Sequence, residues 1–364
     1  MKKGSLLSGE IIKPEAIKGS DNVVSLVENA FLAYNAGRLR EACRLFVDKV
    51  LADGVMIGIG ISGALSPAGL GLSTIIPLMK MGFVDWIVST GANLYHDIHF
   101  GMNLELYRGT PFVYDTQLKK NKIIRIYDIF FDYEVLLSTD RFVREVIQQP
   151  EFQKEMGTPE FHYNLGHYLF EREQKLGLKD TSILSVAYQL AIPVYTPSPG
   201  DSSIGMNIAS LALMGNRLSI NPSQDVNEAA AIVFNCKKNN EKSGVLILGG
   251  GASKNFMLQT VPHVQEIMGI PMEGHDYFIQ ITDARPDTGG LSGATPSEAV
   301  SWGKINPATL PDSVVVYSDI TIAIPIFTAY ALGKHKERKH KRLYHTRREL
   351  LKLLHDEYEK AKER

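Results

Sequence analysis

The chain has 364 residues, of which 44% are hydrophobic, and its 39 basic and 40 acidic residues give a formal net charge of −1. This length and apolar content can supply the core of one large α/β domain or two ordinary ones, and they exclude a mainly disordered chain. A charge balance near zero argues neither for nucleic acid nor for acidic ligands, so recognition must be local.

Cysteine usage and hydropathy favour a cytoplasmic protein. Cys43 and Cys236 lie far apart in sequence without CxxC spacing, which disfavours a zinc ribbon or a disulfide framework. Acids, Gly and Pro interrupt the N-terminus, and no segment reaches the roughly 20 apolar residues of a membrane span. We therefore expect a soluble, cytoplasmic chain without a membrane or nucleic-acid partner.

The first half of the chain predicts helices that alternate with buried strands. Apolar positions recur at three- and four-residue intervals over 23–52, as in an amphipathic helix or helix pair. From Gly54 the pattern predicts a buried strand, a Gly/Ser/Pro loop and a helix that runs to Met81, and 83–93 predicts a second buried strand with a small-residue turn. Residues from about 105 to 175 carry more charge, more aromatics and helical periodicity, and predict an elaboration on the sheet.

The second half repeats this alternation. Strand patterns that end in polar or glycine turns occur in IPVYTPSPGDSSIG, GVLILGGGASKNFMLQTV, DYFIQIT and SVVVYSDITIAIP, and VNEAAAIVFNCKKN is helical. These features predict an α/β fold, a doubly wound, mostly parallel and Rossmann-like sheet with helical elaborations. Ligands of such sheets bind at the carboxyl ends of the strands, which directs attention to the turns.

The C-terminal residues differ in composition from the rest. We predict one domain over 1–333 and a basic helical tail over 334–364, which contains 12 Lys/Arg and 6 Asp/Glu. The LxxLL spacing at 350–354 indicates a helix with a narrow apolar stripe. Two interpretations are open: contact with an anion or partner subunit, or a solvated helix packed on the body by its leucines.

Four strand-terminal turns are poor in bulky side chains: GIGISGALSPAG (58–69), STGAN (89–93), SPGDSSIG (198–205) and LGGGAS (248–253). Glycines let a backbone approach a pyrophosphate, and N–H groups at a helix start favour the anion. Taken alone, each turn is explained as an ordinary tight turn. In GIGISG, Pro67 disrupts the helix start that should follow a dinucleotide-binding glycine loop. Together they predict a shared cleft. Asp201 and Asp319 could bind ribose hydroxyls or equally cap helices.

Metal and hydrolase sites lack support in the sequence. His96 and His99 lie on one helical face, but no second pair has ligand spacing and HEXXH is absent. No G-x-S-x-G elbow anchors a hydrolase triad. We therefore predict no metal.

The stretch PSEAVSWGKI (296–305) places Lys304 two residues after Trp302 and six after Glu298. A nucleophilic lysine must be neutral, so burial or a neighbouring cation has to lower its pKa from about 10.4. Trp302 could then hold a substrate ammonium, and Glu298 could accept a proton. Spacing alone favours the ordinary interpretation, a lysine whose stem covers an aromatic ring.

PSEAVSWGKI also resembles the signature of deoxyhypusine synthases, and the likeness extends from about 50 to 330 through the glycine turns. The resemblance implies that NAD oxidises spermidine to an imine, that the aminobutyl group passes to the active-site lysine, and that 1,3-diaminopropane leaves. The group then passes to an acceptor amine and is reduced by the retained NADH. The acceptor is a lysine of the hypusine-carrying translation factor, or putrescine in homospermidine-forming relatives. A homotetramer with sites at subunit interfaces is implied as well.

By position, the resemblance makes Lys304 the imine-forming lysine, Trp302 the stacking tryptophan and Glu298 an acid of the same pocket. The positions matching NAD-contacting stretches are Ser62, Ser66, Thr90, Gly91, Asp201, Gly250, Gly251, Asp283, Ala284 and Asp319. The positions that depart from the family's amine-holding acids and histidine are His96, Met206, Asn255 and Leu291. A carboxylate paired with an ammonium contributes about 1.5–3 kcal/mol, so spermidine should bind more weakly unless Asp97 or Asp287 substitutes.

We therefore predict a transferase of alkyl groups that uses NAD and moves an aminobutyl-type group from a polyamine, through an imine on Lys304, to an acceptor amine. The altered amine-holding positions favour a small amine over a protein lysine as the acceptor. Two alternatives are a true deoxyhypusine synthase acting on the translation factor and a catalytically silent NAD- or partner-binding relative.

Overall fold

The computed structural model describes residue 7 and residues 9–363. The strands are β1 (Val55–Ile61), β2 (Trp86–Ser89), β3 (Tyr107–Arg108), β4 (Ile123–Ile126), β5 (Ile129–Asp132), β6 (Glu155–Met156), β7 (Val194–Tyr195), β8 (Ser219–Ile220), β9 (Lys242–Leu248), β10 (Tyr277–Thr282) and β11 (Ser313–Tyr317).

The helices are α1 (Val23–Ala30), α2 (Tyr34–Leu45), α3 (Ile76–Lys80), α4 (Gly91–Gly101), α5 (Asp115–Lys120), α6 (Tyr133–Ile147), α7 (Thr158–Leu176), α8 (Ile183–Leu190), α9 (Ser203–Ala212), α10 (Pro222–Lys238), α11 (Gly251–Pro262), α12 (Pro296–Ser301), α13 (Ile320–Lys334) and α14 (Leu343–Lys362). Short π-helical turns extend α2 over Phe46–Val50 and α11 over His263–Ile267, and one precedes α3 over Gly71–Ile75.

The central sheet has six parallel strands in the order β11-β10-β9-β1-β2-β7. From β1 the chain proceeds outward to β2 and β7, then returns to β9 on the other side of β1 and proceeds to β10 and β11. The direction of winding therefore reverses between β1 and β9, and their carboxyl ends border the crevice where doubly wound sheets bind ligands. The prediction of a doubly wound, mostly parallel α/β fold is confirmed.

Both faces of the sheet are buried, because side chains alternate between two cores. On β1, Ile57, Ile59 and Ile61 join one apolar cluster, while Met56 joins the other. Helix α11 lies very close to the second face. A Cβ on Gly58 would lie 2.4 Å from Cε of Met257, so the glycine is what permits this approach. The closeness fixes where the start of α11 lies relative to the crevice.

The region between β2 and β7 contains more than the predicted helices. A small antiparallel sheet, β3-β5-β4, packs with α5 and α6. Its strands have two to four residues each, which is too short to give a readable alternation. Helical periodicity across 141–156 is interrupted after Ile147, because Pro150 opens a separate short turn.

The C-terminal residues are tied to the body. Arg338, which is buried, donates hydrogen bonds to the carbonyl oxygens of Gly82 (3.1 Å) and Val55 (2.9 Å), at the amino end of the sheet. Helix α14 then packs along α10 and adds Leu343 and Leu354 to the apolar clusters there. Within residues 9–363 the structure contains no helix long and apolar enough to cross a membrane.

Candidate active site

A pocket of about 260 Å³ lies between the start of α11, strand β10 and helix α12. Its lining includes Lys254, Asn255, Leu258, Phe278, Leu291, Ala294, Glu298, Trp302 and Lys304. A larger open groove of about 770 Å³ occupies the amino ends of β9 and β10, but its charges are paired internally, as in the 2.5 Å contact between Lys237 and Asp276. Parallel sheets bind ligands at the other edge, so the smaller pocket is the better candidate.

The signature segment builds one wall of this pocket. Thr295 caps α12 by accepting a hydrogen bond from the Glu298 N–H (3.2 Å), and Pro296 starts the helix. Gly303, at φ 68°, adopts the left-handed conformation that ends it. The Lys304 N–H donates to the Ala299 carbonyl (3.0 Å), and the Lys304 carbonyl accepts from the His275 N–H (3.0 Å). Both backbone anchors hold the Lys304 side chain toward the pocket.

Burial disfavours the charged form of the Lys304 amine, although the groups nearest to the amine favour a cation. Its Nζ donates to Oδ1 of Asn255 at 3.3 Å and lies 5.3 Å from the ring centroid of Trp302, a side chain that is 57% exposed. Burial lowers the pKa of Lys304, while Glu298 and Glu266 act in the opposite direction. The predicted residues Lys304, Glu298 and Trp302 therefore line one pocket, where a neutral amine can meet a bound ammonium.

Sequence reasoning missed Lys254, which lines the same pocket. This lysine is only 3% exposed and donates hydrogen bonds to the Ala294 carbonyl (2.6 Å) and to Oε1 of Gln280 (2.9 Å). Burial and the charge of Lys304 lower the pKa of Lys254 to about 8, against the effect of Glu298. The available signal was its place in the first turn of a helix that begins at a predicted phosphate-binding glycine turn.

The predicted cofactor positions lie along the carboxyl edge of the sheet. In the order of the strands from β11 to β7 they are Asp319, then Asp283 and Ala284, Gly250 and Gly251, Ser62 and Ser66, Thr90 and Gly91, and Asp201. The parallel arrangement brings all of these turns to one edge. None of these positions is among the described lining residues of the lysine pocket. The pocket is next to the turn after β9, because residues at the start of α11 line it.

The turns at the crevice are bonded to one another. The Ser62 hydroxyl donates to the Gly250 carbonyl, and the Gly250 N–H contacts the same hydroxyl oxygen at 3.3 Å. The Gly251 N–H donates to Oγ of Ser292 (2.9 Å), and the Thr90 hydroxyl donates to the Gly63 carbonyl (2.6 Å). A glycine turn at the start of a twelve-residue helix fits an anionic pyrophosphate.

The two carboxylates proposed for ribose differ in their surroundings. Asp319 caps α13 by accepting from the Thr321 N–H at 2.8 Å, the second of its two predicted roles. Asp201 is exposed in the turn after β7, and its successor Ser202, which packs against Gly91, caps α9. Asp201 and Asp283, both exposed at this edge, are carboxylates that it presents to a ligand.

The four positions that depart from the family fall in two places. Asn255 and Leu291 line the lysine pocket, but His96 on α4 and Met206 on α9 do not. Met206 is 63% exposed. The resemblance assigns all four positions to amine binding, but in this single chain only two of them line the pocket of Lys304.

His96 belongs to a chain of hydrogen bonds. Thr139 donates its hydroxyl to the Val135 carbonyl (2.8 Å), so its oxygen accepts from Nδ1 of His99 (2.8 Å). Nε2 of His99 then accepts from Nδ1 of His96 (3.0 Å). Burial lowers the pKa of His96 to about 4, which keeps the ring neutral. This directionality leaves Nε2 of His96 as a hydrogen-bond acceptor.

Asp97 and Asp287, the suggested substitutes for the missing carboxylates, both contact other groups. The suggestion is therefore wrong for Asp97. Asp97 is fully buried and accepts hydrogen bonds from the Ser182 hydroxyl and from the N–H groups of Ile183 (2.8 Å) and Leu184 (3.2 Å), which caps α8. Asp287 pairs with Arg285 at 2.5 Å on the surface.

Comparison with known proteins gives a consistent result. The family model described as deoxyhypusine synthase matches residues 24–331. A "Deoxyhypusine synthase-like protein" of Nostoc punctiforme is 54% identical over 97% of this chain and 91% of its own length. A "Probable deoxyhypusine synthase 2" of Methanosarcina acetivorans is 36% identical over 82% and 83% of the two chains. A crystal structure described as a "putative deoxyhypusine synthase" from Entamoeba histolytica has a TM-score of 0.58 at 16% identity, covers 90% and 98%, and shares the fold.

Proposed function

Since the chain belongs to the deoxyhypusine synthase family, we propose that it is an NAD-dependent transferase that passes an aminobutyl-type group from a polyamine, through an imine on Lys304, to an acceptor amine. One observation carries the proposal. The amine of Lys304 faces Asn255 and Trp302 in a pocket next to the helix that begins at the Gly250–Gly251 turn. The nucleophile and the anion-binding turn are thus close to each other.

The side chains divide the chemistry among them. A neutral Lys304 attacks the imine carbon of the oxidised donor, the amine that leaves takes up a proton, and the imine now joins the donor chain to Nζ of Lys304. Trp302 holds an ammonium over its ring, and Glu298 supplies a counter-charge. When bound, NAD would supply the hydride acceptor for oxidation of the donor and the hydride source for the final reduction. The N–H groups at the start of α11 and the carboxylates of Asp201 and Asp283 would hold it.

The acceptor that we propose is a small amine. Glu298 is the one carboxylate among the described lining residues of the pocket. Leu291 and Asn255 are two of the four positions that depart from the amine-holding acids and histidine that the resemblance implies. Fewer carboxylates hold fewer ammonium groups. A protein lysine of the hypusine-carrying factor is the alternative acceptor, and a silent relative is the alternative to an enzyme.

We also propose a homotetramer in which a second copy completes the pocket. The separation of His96 and Met206 from Lys304 within one chain supports this arrangement. Exposed apolar side chains on and after α9, namely Met206, Leu213 and Met214, would be covered in such an assembly.

Borohydride trapping tests the function. The protein is incubated with NAD and spermidine, putrescine or agmatine, then reduced, digested and analysed by mass spectrometry. We expect an adduct on the peptide that contains Lys304, none in Lys304→Arg, and an unchanged adduct in Lys120→Arg, which alters an exposed lysine. Free 1,3-diaminopropane identifies spermidine as the donor, and homospermidine identifies putrescine as the acceptor. NAD binding without an adduct from any amine would leave only the silent relative.

A further inference from the structure

A carboxylate outside the lysine pocket lies where helices α4, α6 and α9 meet. Asp140 of α6 accepts hydrogen bonds on Oδ1 from the Tyr95 hydroxyl of α4 (2.9 Å) and from Nδ2 of Asn207 on α9 (2.7 Å). Tyr95 and Asn207 are buried, whereas Asp140 is half-buried. One carboxylate oxygen is therefore bonded on the inner side of a residue that remains open to the surface.

The charge of Asp140 is not neutralised by the arginines that follow it on α6. Nη2 of Arg141 lies 3.5 Å from Oε1 of Glu134, and Nε of Arg144 donates to Oδ1 of Asn207 at 2.6 Å. Among the residues that the structure describes, no lysine, arginine or histidine forms an ion pair with Asp140. A half-buried carboxylate in this condition gains from an added cation, because a charge-assisted hydrogen bond replaces weaker contacts with water.

The carboxylate is held by side chains whose donor roles are fixed. Because Oδ1 of Asn207 accepts from Arg144, its Nδ2 must face Asp140 and the Ser203 carbonyl (2.8 Å). Burial and the adjacent Asp140 raise the pKa of Tyr95, which keeps its hydroxyl protonated. Both donors approach the same oxygen, so Oδ2 is the oxygen that can bind a further donor.

The surface around Asp140 suits an alkyl chain that ends in an ammonium group. Leu137, one turn earlier on α6, and Met206 of α9 are both exposed, and apolar side chains of this kind can contact methylene groups. Beyond Leu137 the surface becomes basic, with Lys119 and Lys122. A cation is therefore directed to the end of this surface that carries Asp140.

His96 gives this surface a second acceptor. Its chain of hydrogen bonds passes through His99 to Thr139, the residue that precedes Asp140. On α4 it lies next to Tyr95, which contacts Asp140, and the two ring centroids are 5.5 Å apart. Nε2 of a neutral imidazole accepts a hydrogen bond and brings no charge that would compete with a cation.

We propose that Asp140 binds an ammonium group of the amine substrate, on a surface of α4, α6 and α9 that is separate from the Lys304 pocket within one chain. The inference rests on the proposed function in that the ligand is its polyamine or acceptor amine. Asp140 is not one of the positions that the family resemblance assigns to amine binding. It supplies the negative charge that His96 and Met206, at the altered positions on the same surface, do not supply. The assembly proposed above would bring this surface to the pocket of a second copy.

Equilibrium binding tests the assignment without any transfer chemistry. Spermidine and putrescine are titrated into the protein by calorimetry, with NADH present, which cannot oxidise an amine. In Asp140→Asn the amide oxygen can still accept from Tyr95 and Asn207, so only the charge is lost, and Kd should rise about tenfold. Glu145→Gln, which removes an exposed carboxylate on the same helix, should leave Kd unchanged. Both variants should melt at the wild-type temperature.

A third variant separates charge from structure. Asp140→Ala also removes the hydrogen bonds that join the three helices, so it should lower the melting temperature, while its Kd should match that of Asp140→Asn. If Asp140 only joins the helices, Asp140→Asn binds amines as the wild type does, and this result overturns the inference. So does a wild-type protein that binds neither amine. Amine binding that depends on Asp140, without a trapped adduct on Lys304, refutes the proposed function alone.

Discussion

Nζ of Lys304 donates a hydrogen bond to Oδ1 of Asn255 across 3.3 Å. A carboxamide can orient an amine, but it cannot take up the proton that the amine must lose. The contact therefore fixes the direction of the nucleophile and leaves its ionisation to burial and to nearby charges. This separation of roles can be tested one residue at a time.

Asn255→Asp should shift the pH dependence of adduct formation upward. A carboxylate at this position favours the Lys304 ammonium and raises its pKa, so the neutral fraction at pH 7 falls by about tenfold for each unit of the rise. Asn255→Leu, which removes the hydrogen bond without adding charge, should change the rate and leave the profile where it is. The check is the rate of borohydride-trapped adduct as a function of pH. An Asp variant with the wild-type profile would contradict the role assigned to this contact.

Trp302→Leu should weaken amine binding without harming the fold. A cation above an exposed ring contributes about 0.5–1 kcal/mol, so KM for the amine should rise about two- to fivefold while kcat stays close to the wild-type value. The side chain is more than half exposed, and the melting temperature should therefore not move. The KM of Trp302→Phe for the amine should lie between the values of the wild type and of Trp302→Leu. Steady-state kinetics decide the matter, and an equal fall in kcat for Leu and Phe would place Trp302 elsewhere in the reaction.

Gly250→Ala should abolish dinucleotide binding. A Cβ at this position would lie 2.4 Å from Cα of Ser292, and this backbone contact cannot yield, so the turn after β9 must move. Gly290→Ala is the matched control, in the loop after β10 that contains Ser292, since its Cβ meets nothing within 4 Å and its φ is −81°. Calorimetric titration with NAD should show loss of binding for the first variant and wild-type affinity for the second. Similar affinities would remove the turn from the cofactor site.

Leu354→Ala should destabilise the protein far more than Leu353→Ala. Leu354 is 1% exposed and packs against the helices beneath α14, whereas its neighbour Leu353 is 45% exposed. Truncation of a buried leucine costs about 2–5 kcal/mol, and truncation of an exposed one lies within about 0.5 kcal/mol of zero. Urea unfolding of both variants measures the difference. Equal stabilities would mean that the tail helix does not stay on the body in solution.

The sheet was predictable because each parallel strand must be apolar on both faces, which leaves unbroken runs such as VMIGIGI in β1. The glycine turns followed from the same pattern, since parallel strands end at one edge. The strands of the small sheet β3-β5-β4 escaped prediction because segments this short carry no periodicity. The family signature was also readable, and its resemblance to deoxyhypusine synthases is confirmed.

The sequence by itself determined the order of strands and helices, the turns at the strand ends and the segment that carries Lys304, because these are properties of neighbouring residues. Tertiary structure alone decided that β9 pairs with β1 and that Lys254, on α11, lines the same pocket as Lys304. It also decided that the carboxylate of Asp97 caps α8. The reason is physical. The charge state of a lysine depends on the groups around it in space, and here those groups come from a helix and a strand that are distant in the chain.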